Sequence, residues 1–350
     1  MPKIAISMGD PAGIGPEIAL KAALDPRIRA LCRPLLVGDP LALDVHAKAS
    51  GLTPKIKTYS SVAAVEWDGD HVPLLALDLF AGAPLHLGTI EAVNGRAATR
   101  SAQAAIDAAL AGEVDAVVAA PQTEGAIKAA GIEFDGYPSF VARCTGTPID
   151  DAFLMICFDD KRIAHVTLHV SLARAIALVT KARVERALGA VDAALKRMGV
   201  ARPRIAVSGL NPHAGEGGLF GREEIEIIVP AIAAAKASGI AAEGPFAADL
   251  MFHYAGYDAF LVMIHDQGHI VAKLLGRNRA AGMTIGTPVL FSSVAHGSAL
   301  DIAGQNKASP AAIIEAVERL VGAATAKPLE SGLKPGSEPR PLLKSANQPI

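Results

Sequence analysis

Lys3-Ile4-Ala5-Ile6-Ser7-Met8-Gly9-Asp10-Pro11-Ala12-Gly13-Ile14-Gly15-Pro16-Glu17 is the stretch on which the fold turns. Lys3–Met8 is an apolar run of strand length, the residues from Gly9 are a loop dense in Gly and Pro, and Gly15–Leu24 reads as helix. Pro16 falls in the opening turn of that helix, where a missing N–H does no harm. Strand, tight loop and helix in immediate succession open an α/β chain.

The same alternation runs to the other end. Strands are expected at Lys3–Met8, Pro34–Val37, Val114–Ala120, Phe153–Phe158, Arg162–Val170, Arg204–Ser208, Ala259–Ile264 and Thr284–Ser292. Helices are expected at Gly15–Leu24, Thr89–Ala111, Leu172–Met198, Arg222–Ser238 and Pro310–Ala323. Taken in turn, these wind around a mostly parallel sheet. No repeat with a period of about 20 to 50 residues interrupts the pattern, which excludes solenoids and propellers. Beyond Lys327 the chain is rich in Pro, Gly and Ser without periodicity, so 327–350 reads as a surface-draped tail.

A chain of 350 residues suffices for one large two-lobed domain or two modest ones. Apolar residues make up 51% of it, but no span reaches the roughly 18 uninterrupted apolar residues of a transmembrane helix. The N-terminus enters a strand directly and lacks the layout of a secretory leader, so a cytoplasmic protein is expected, with no membrane partner. The net charge of −2 and the lack of a Lys/Arg cluster argue against nucleic acid. Cys32, Cys144 and Cys157 have no CxxC spacing and read as buried fillers, neither a disulfide framework nor a thiolate metal site.

The loop after the first strand can turn backbone N–H groups toward an anion. It is no dinucleotide fingerprint, since Ile18 stands where a third glycine belongs, and an ordinary tight turn explains it as well. Asp10 is its chemically useful side chain. Three histidines lie at the ends of expected strands: His169 in Thr167-Leu168-His169-Val170-Ser171, His213 in Asn211-Pro212-His213-Ala214-Gly215-Glu216, and His265 in Ile264-His265-Asp266-Gln267-Gly268. In α/β sheets the carboxyl ends of strands are where ligands bind, and three imidazoles with open positions suit a catalytic divalent metal. Spacing alone favours the plainer reading of rings satisfied by nearby backbone. His165 reads as core, and His269 either lines the site or forms a second layer behind His265.

His296-Gly297-Ser298-Ala299-Leu300-Asp301-Ile302-Ala303-Gly304 is the most specific stretch. It resembles the HGSAPDIAG segment that holds the adenosine of NAD in isocitrate and isopropylmalate dehydrogenases. That resemblance makes His296, Gly297, Ser298, Ala299, Asp301 and Gly304 the cofactor-binding residues. Asp301 would accept from the ribose hydroxyls and repel a 2′-phosphate, favouring NAD over NADP.

With GDPAGIGPE, NPHAGEGG, HDQG and HGSALDIAG in this order, the chain resembles the 4-hydroxythreonine-4-phosphate dehydrogenase family from Met1 to about Gly322. The resemblance implies a two-lobed α/β/α sandwich of the isocitrate/isopropylmalate dehydrogenase type, with the active site in the interlobe cleft. Residues 1–125 plus 278–326 would form the cofactor-side lobe and 126–277 the metal- and dimer-side lobe. It also implies a homodimer with its active site at the dimer interface. The metal ligands would be His169, His213 and His265, holding one divalent ion per site, zinc first, with cobalt, nickel or manganese also compatible.

Substrate residues of the vitamin B6 enzyme mostly do not carry over. Gly136-Tyr137-Pro138-Ser139 replaces Gly-His-Thr-Glu, Gly282 replaces an Asn, Phe291 an Arg and Glu124 a Lys, while Lys273 is retained. Each lost charge-assisted hydrogen bond is worth about 1.5–3 kcal/mol, so a phosphate pocket is not expected. The replacements resemble the family's terephthalate branch, whose members oxidise a cis-dihydrodiol dicarboxylate with NAD and release CO2. On that resemblance Tyr137, Ser139, Lys273 and Asp10 contact a small hydroxy-acid substrate, Tyr137 as a neutral donor, while Lys273, Asp249 and Asp266 move protons or orient ligands. The 4-hydroxythreonine-4-phosphate activity itself, a sibling activity on sugar-acid phosphates and a non-catalytic metabolite sensor are the alternatives.

Overall fold

The structure, a computed structural model, describes residues 1–276 and 280–322. The 327–350 tail lies outside the described residues. In chain order the elements are β1 (Lys3–Ser7), α1 (Gly15–Leu24), α2 (Pro26–Leu31), β2 (Arg33–Gly38), α3 (Pro40–Ala49), β3 (Ile56–Tyr59), β4 (Val72–Ala76), α4 (Ala92–Leu110), β5 (Ala116–Ala119), α5 (Glu124–Ala129) and α6 (Tyr137–Thr145). They continue with β6 (Phe153–Phe158), β7 (Lys161–His165), α7 (Leu172–Leu178), α8 (Lys181–Arg197), β8 (Arg204–Ser208), α9 (Val229–Ala237), β9 (Ala241–Phe246), β10 (Ala259–Val262), α10 (His265–Gly276), β11 (Ala281–Ile285), β12 (Phe291–Val294) and α11 (Ala311–Leu320).

All the described strands join one sheet in the order β3-β4-β2-β1-β5-β12-β11-β6-β7-β10-β8-β9. The pairings of β11 with β12 and β6, and of β6 with β7, are antiparallel; the others are parallel. The mostly parallel α/β sheet is therefore present, built as two parallel halves running in opposite directions and spliced at β11 and β6.

Period-two alternation sends successive side chains to opposite faces. Ile4 and Ile6 join a core that extends along one face under α1, α8, α9 and α11, whereas Ala5, Leu35 and Val37 face the other side. On that other side the core is divided, one part gathering Ile106, Phe140 and Phe291, the other Phe158, Phe260 and Ala272. α6 supplies Phe140 to the first of these cores and α10 supplies Ala272 to the second.

Four expected boundaries change. Thr284–Ser292 is a hairpin of β11 and β12, not one strand, turning at Gly286, where φ is +85° and a Cβ would stand 2.0 Å from Asp151 O. Leu172–Met198 is two helices, because Thr180 interrupts the first and caps the second by accepting from Arg183 N. The strand expected to reach Val170 ends at His165, and Val166 and Thr167 instead follow the end of β10 through Val262 O and Met263 O. The Arg222–Ser238 helix opens with a wide π turn, Glu224–Ile228, before α9, since Pro230 has no N–H to continue the ordinary ladder. Cys32 and Cys157 are buried as expected, but Cys144 is only half-buried. Among the described residues no helix is long and apolar enough to cross a membrane.

Candidate functional site

Three loops leave the carboxyl ends of the neighbouring parallel strands β1, β5 and β12 and lock onto one another. Asp10 N donates to Pro121 O at 2.8 Å and Ile14 N to Ser298 O at 2.8 Å. The glycines of the opening loop serve this packing: a Cβ on Gly9 would lie 2.3 Å from Pro121 O, and one on Gly13 2.6 Å from Ser298 Cβ. Of the two readings of that loop, the structural turn accounts for its glycines.

Asp10 is fully buried between the loops. Its Oδ1 accepts from Ala12 N at 2.9 Å and Oδ2 has no protein partner. Burial raises its pKa above the ordinary carboxyl value, although Thr123 beside it and the Ala12 N–H pull the other way. Both polar ends of Gln122 and the Ser298 hydroxyl also lack protein partners. Buried groups of this kind ask for a ligand or water. Gln122 and Thr123 were missed in the sequence, where the only signal was their position just past the strand that ends at Ala120.

The His296–Gly304 loop is open at its surface. Gly297 has open space around it, Asp301 is exposed, and Ala299 adopts a left-handed φ of 41° that turns the chain into the short Leu300–Ile302 helix. Gly304 (φ +70°) lies against Leu87, where a Cβ would stand 2.6 Å from Cδ1. An exposed carboxylate beside open backbone suits the hydroxyls of a ribose.

The three histidines follow β7, β10 and β8, adjacent parallel strands in the other half of the sheet. Thr167 donates through N and Oγ1 to Met263 O, at 3.2 and 2.9 Å, holding the two strand ends together. This sets the His169 and His265 rings 5.6 Å apart. His265 Nδ1 pairs with Asp266 Oδ1 at 2.7 Å, which leaves Nε2 for a metal. His269 stacks on His265 with centroids 3.6 Å apart, and its Nδ1 meets Nε2 of the fully buried His165 at 3.1 Å. Burial depresses the pKa of His165 to about 3 and that of His269 to about 4, so both rings are neutral. His165 is core, and His269 supports His265 from behind.

His213 is placed differently. It heads a run from His213 to Gly217 in which every φ is positive (54, 53, 80, 45 and 67°), and its ring stands 6.1 Å from that of Phe220. Left-handed non-glycine residues cost of order 1–3 kcal/mol each, and such strain gathers at functional sites. Among the described residues no three His, Cys, Asp or Glu side chains come together as a metal cage. His169 and His265 fit as two ligands of a shared ion, and His213 does not join them within one chain.

Gly136, at the start of α6, approaches the histidine pair: a Cβ built there would stand 4.0 Å from His169 Nδ1. Tyr137 follows, but its hydroxyl donates to Ala120 O at 3.1 Å and its ring packs 4.9 Å from that of the fully buried Phe291. The neutral donor expected for substrate is thus committed to backbone. Ser139 is half-buried in the first turn of α6. Lys273 is exposed two turns down α10 from His265, about 12 Å along the helix. Its Nζ donates to Ala295 O at 3.4 Å, at the mouth of the cofactor loop. Asp266 touches His265, whereas Asp249 is exposed in the turn before Met251.

Residues 30–320 match the family described as pyridoxal phosphate biosynthetic protein PdxA. A putative D-threonate 4-phosphate dehydrogenase from Symbiobacterium thermophilum is 42% identical over 90% of this chain and 95% of its own. The crystal structure of a terephthalate 1,2-cis-dihydrodiol dehydrogenase from Burkholderia xenovorans is 39% identical, covers 93% of this chain and 99% of its own, and superposes with a TM-score of 0.71. A putative 4-hydroxythreonine-4-phosphate dehydrogenase structure from Salmonella typhimurium is 34% identical, covers 92% and 99%, and gives 0.84. The chain belongs to the PdxA family, whose relatives named above are dehydrogenases.

Proposed function

We propose that this PdxA-family dehydrogenase oxidises a small, unphosphorylated hydroxy acid with NAD and releases CO2, a cis-dihydrodiol carboxylate of the terephthalate type being the favoured substrate. The observation that carries this reading is the packed Tyr137–Phe291 pair. Where the vitamin B6 enzyme has an imidazole and a guanidinium, this chain has two aromatic rings in contact, one buried and the other with its hydroxyl bound to Ala120 O. No cation is left at either position to hold a phosphate. The 39% identity to the terephthalate dihydrodiol enzyme supports the same branch.

His169 and His265 would hold a divalent ion, zinc first, with His213 delivered by a second copy of the chain. The apolar rim around these histidines supports such a homodimer: Leu172 is 62% exposed, Leu219 73% and Leu274 73%, with Val170, Phe220 and Ile270 beside the three site segments. When bound, the ion would act as a Lewis acid toward the substrate's hydroxyl and carboxylate oxygens. Asp266 fixes the His265 ring by accepting from Nδ1–H, and His269 keeps it from rotating. Lys273 stands where it can pair a substrate carboxylate or carry a proton near the cofactor loop, and Asp301 receives the ribose hydroxyls of NAD.

A second reading, oxidation of a 4-phosphorylated hydroxy acid, draws on the name of the 42% identical relative. Reduction of NAD by the zinc-loaded protein, followed by absorbance with a cis-dihydrodiol carboxylate and with 4-hydroxythreonine 4-phosphate or D-threonate 4-phosphate offered separately, decides between them. Turnover of the diol alone supports the first reading. Turnover of a phosphate ester alone refutes it and leaves the metal and cofactor assignments standing.

A further inference from the structure

We infer that Glu224 is the positioning residue that sets the His213 turn, and so fixes how this histidine is presented to the proposed metal site. The inference rests on the reading of His213 as a ligand. Glu224 is 3% exposed and sits in the π turn that precedes α9. Its Oε1 accepts from Leu210 N at 2.7 Å and from Asn211 N at 2.8 Å, and its Oε2 accepts from Asn211 Nδ2 at 2.9 Å. The second proton of that amide goes to Glu223 Oε2 at 2.7 Å. The carboxylate therefore gathers the backbone and side chain of the two residues immediately before Pro212 and His213, and three donors from this one segment compensate its burial.

The turn itself is shaped around this carboxylate. A Cβ on Gly215 would stand 2.6 Å from Glu224 Oε2, and one on Gly209 would stand 2.8 Å from Ala214 Cα and 3.1 Å from Glu224 Oε1. Both positions admit only glycine while Glu224 stays where it is. The left-handed path from His213 to Gly217 is unfavourable for the non-glycine residues His213, Ala214 and Glu216. A strained path persists only where its surroundings over-determine it. Here the anchor at the entry of the turn is Glu224, and the wide π turn is what brings its side chain under Gly215.

Glu224→Ala, Glu224→Gln, Gly215→Ala and His213→Ala are compared with Glu226→Ala, an exposed side chain paired with Arg222 in the same turn. Zinc affinity of the full-length protein is measured by competition with a chromogenic chelator, and the metal-free melting temperature is recorded for each variant. Supporting ligands typically contribute about 10–100-fold to metal affinity, so Glu224→Ala and Gly215→Ala are expected to weaken zinc binding at least about tenfold. Glu224→Gln keeps both backbone acceptor bonds through Oε1 but loses the acceptor for Asn211 Nδ2, which stays on Glu223 Oε2, so it is expected to weaken zinc binding less than Glu224→Ala does, while Glu226→Ala stays close to wild type. If Glu224→Ala fails to fold, Gly215→Ala and Glu224→Gln still report. His213→Ala that binds zinc like wild type overturns the ligand reading, and the inference with it. His213→Ala that loses zinc while Glu224→Ala and Gly215→Ala keep it overturns the positioning role alone. Loss of zinc in Glu224→Gln equal to that in Glu224→Ala overturns the hydrogen-bonding account.

Discussion

Gly268→Ala is a small change with a large predicted consequence. In an exposed helix interior, replacing glycine by alanine ordinarily stabilises by about 1 kcal/mol. At Gly268, in α10, the added methyl carbon would stand 2.4 Å from His165 Nε2, 2.8 Å from Ile163 Cγ2 and 3.0 Å from His165 Cε1. Those neighbours are fully buried and cannot swing into solvent. Overpacking of this kind costs about 1–3 kcal/mol, and separating His165 Nε2 from His269 Nδ1, now at 3.1 Å, strands a buried ring nitrogen for about 1–3 kcal/mol more. The steric and hydrogen-bond losses exceed the helix gain, leaving a net destabilisation of about 1–5 kcal/mol. Because His269 stacks on His265, lifting α10 also displaces the proposed ligand. Thermal melts at fixed protein concentration, with and without zinc, and a chelator competition test this. Gly276→Ala is the control: its methyl would meet Phe158 Cβ and Cγ at 2.9 Å, near the far end of the same helix. It should lower the melting temperature yet leave zinc affinity intact, whereas Gly268→Ala should lower both. A Gly268→Ala protein as stable as wild type, or one that loses no more zinc affinity than Gly276→Ala, refutes the reasoning.

Asp266→Ala removes the acceptor that orients His265 and is expected to weaken zinc binding about 10–100-fold, read by calorimetry; an unchanged affinity shows that the 2.7 Å contact does not govern the ligand. Stability should fall on acidification through His165. Its folded pKa of about 3 lies below the ordinary histidine value, so the unfolded chain takes up a proton first, and stability is lost as pH drops from about 6.5 toward 3. Urea melts of wild type and His165→Gln over that range should diverge at neutral pH and converge in acid, and parallel curves would contradict the assignment. Phe291→Arg, which restores the family's guanidinium, buries an uncompensated charge against the Tyr137 ring and should destabilise by about 3–5 kcal/mol. A soluble, wild-type-stable Phe291→Arg that gains phosphate-ester turnover would mean that the position lines an open pocket.

The parts of the fold legible in the sequence are those where burial on two faces writes a continuous apolar run. Lys3–Ser7, Phe153–Phe158 and Arg204–Ser208 lie within the sheet and were found nearly to the residue. β3, β4 and β9 were missed: β3 and β9 are the two edges of the sheet, with one flank open and weaker apolar patterning, β4 lies inside it but carries Pro73, which counts against a strand, and β9 carries Gly244-Pro245 and a register shift against β8. The β11–β12 hairpin was fused into one strand although Gly286-Thr287-Pro288 carries a local break; the need for glycine at 286 itself comes from Asp151 O, far away in sequence. The same holds for Gly268, whose requirement is set by His165.

For the site, the sequence offered candidate residues but not their placement. His169, His213 and His265 were singled out as strand-end histidines, and the topology explains why that signal exists: β7, β10 and β8 are parallel neighbours, so their carboxyl ends share one edge. What spacing could not supply is the partition of the three. Thr167 and Met263 bring His169 to His265, while His213 is held in a strained turn of its own by Glu224. The halves of the sheet run in opposite directions, so the His296–Gly304 loop after β12 and the histidines after β7 and β10 leave opposite ends of the sheet, and contacts at the start of α6 and along α10 link the two. Gly136 near His169 with Tyr137 on Ala120 O is one connection; His265 and Lys273, two turns apart on α10, the second reaching Ala295 O, is the other. Of the residues that differ from the vitamin B6 enzyme, Tyr137, Pro138 and Ser139 lie on the first connection and Phe291 packs against Tyr137, while Gly282 and Glu124 lie on β11 and α5; the one retained, Lys273, lies on the second. On the proposed roles, substrate choice would rest on the α6 side of the site and cofactor contact on α10, so that one scaffold could change its substrate and keep its metal and cofactor positions.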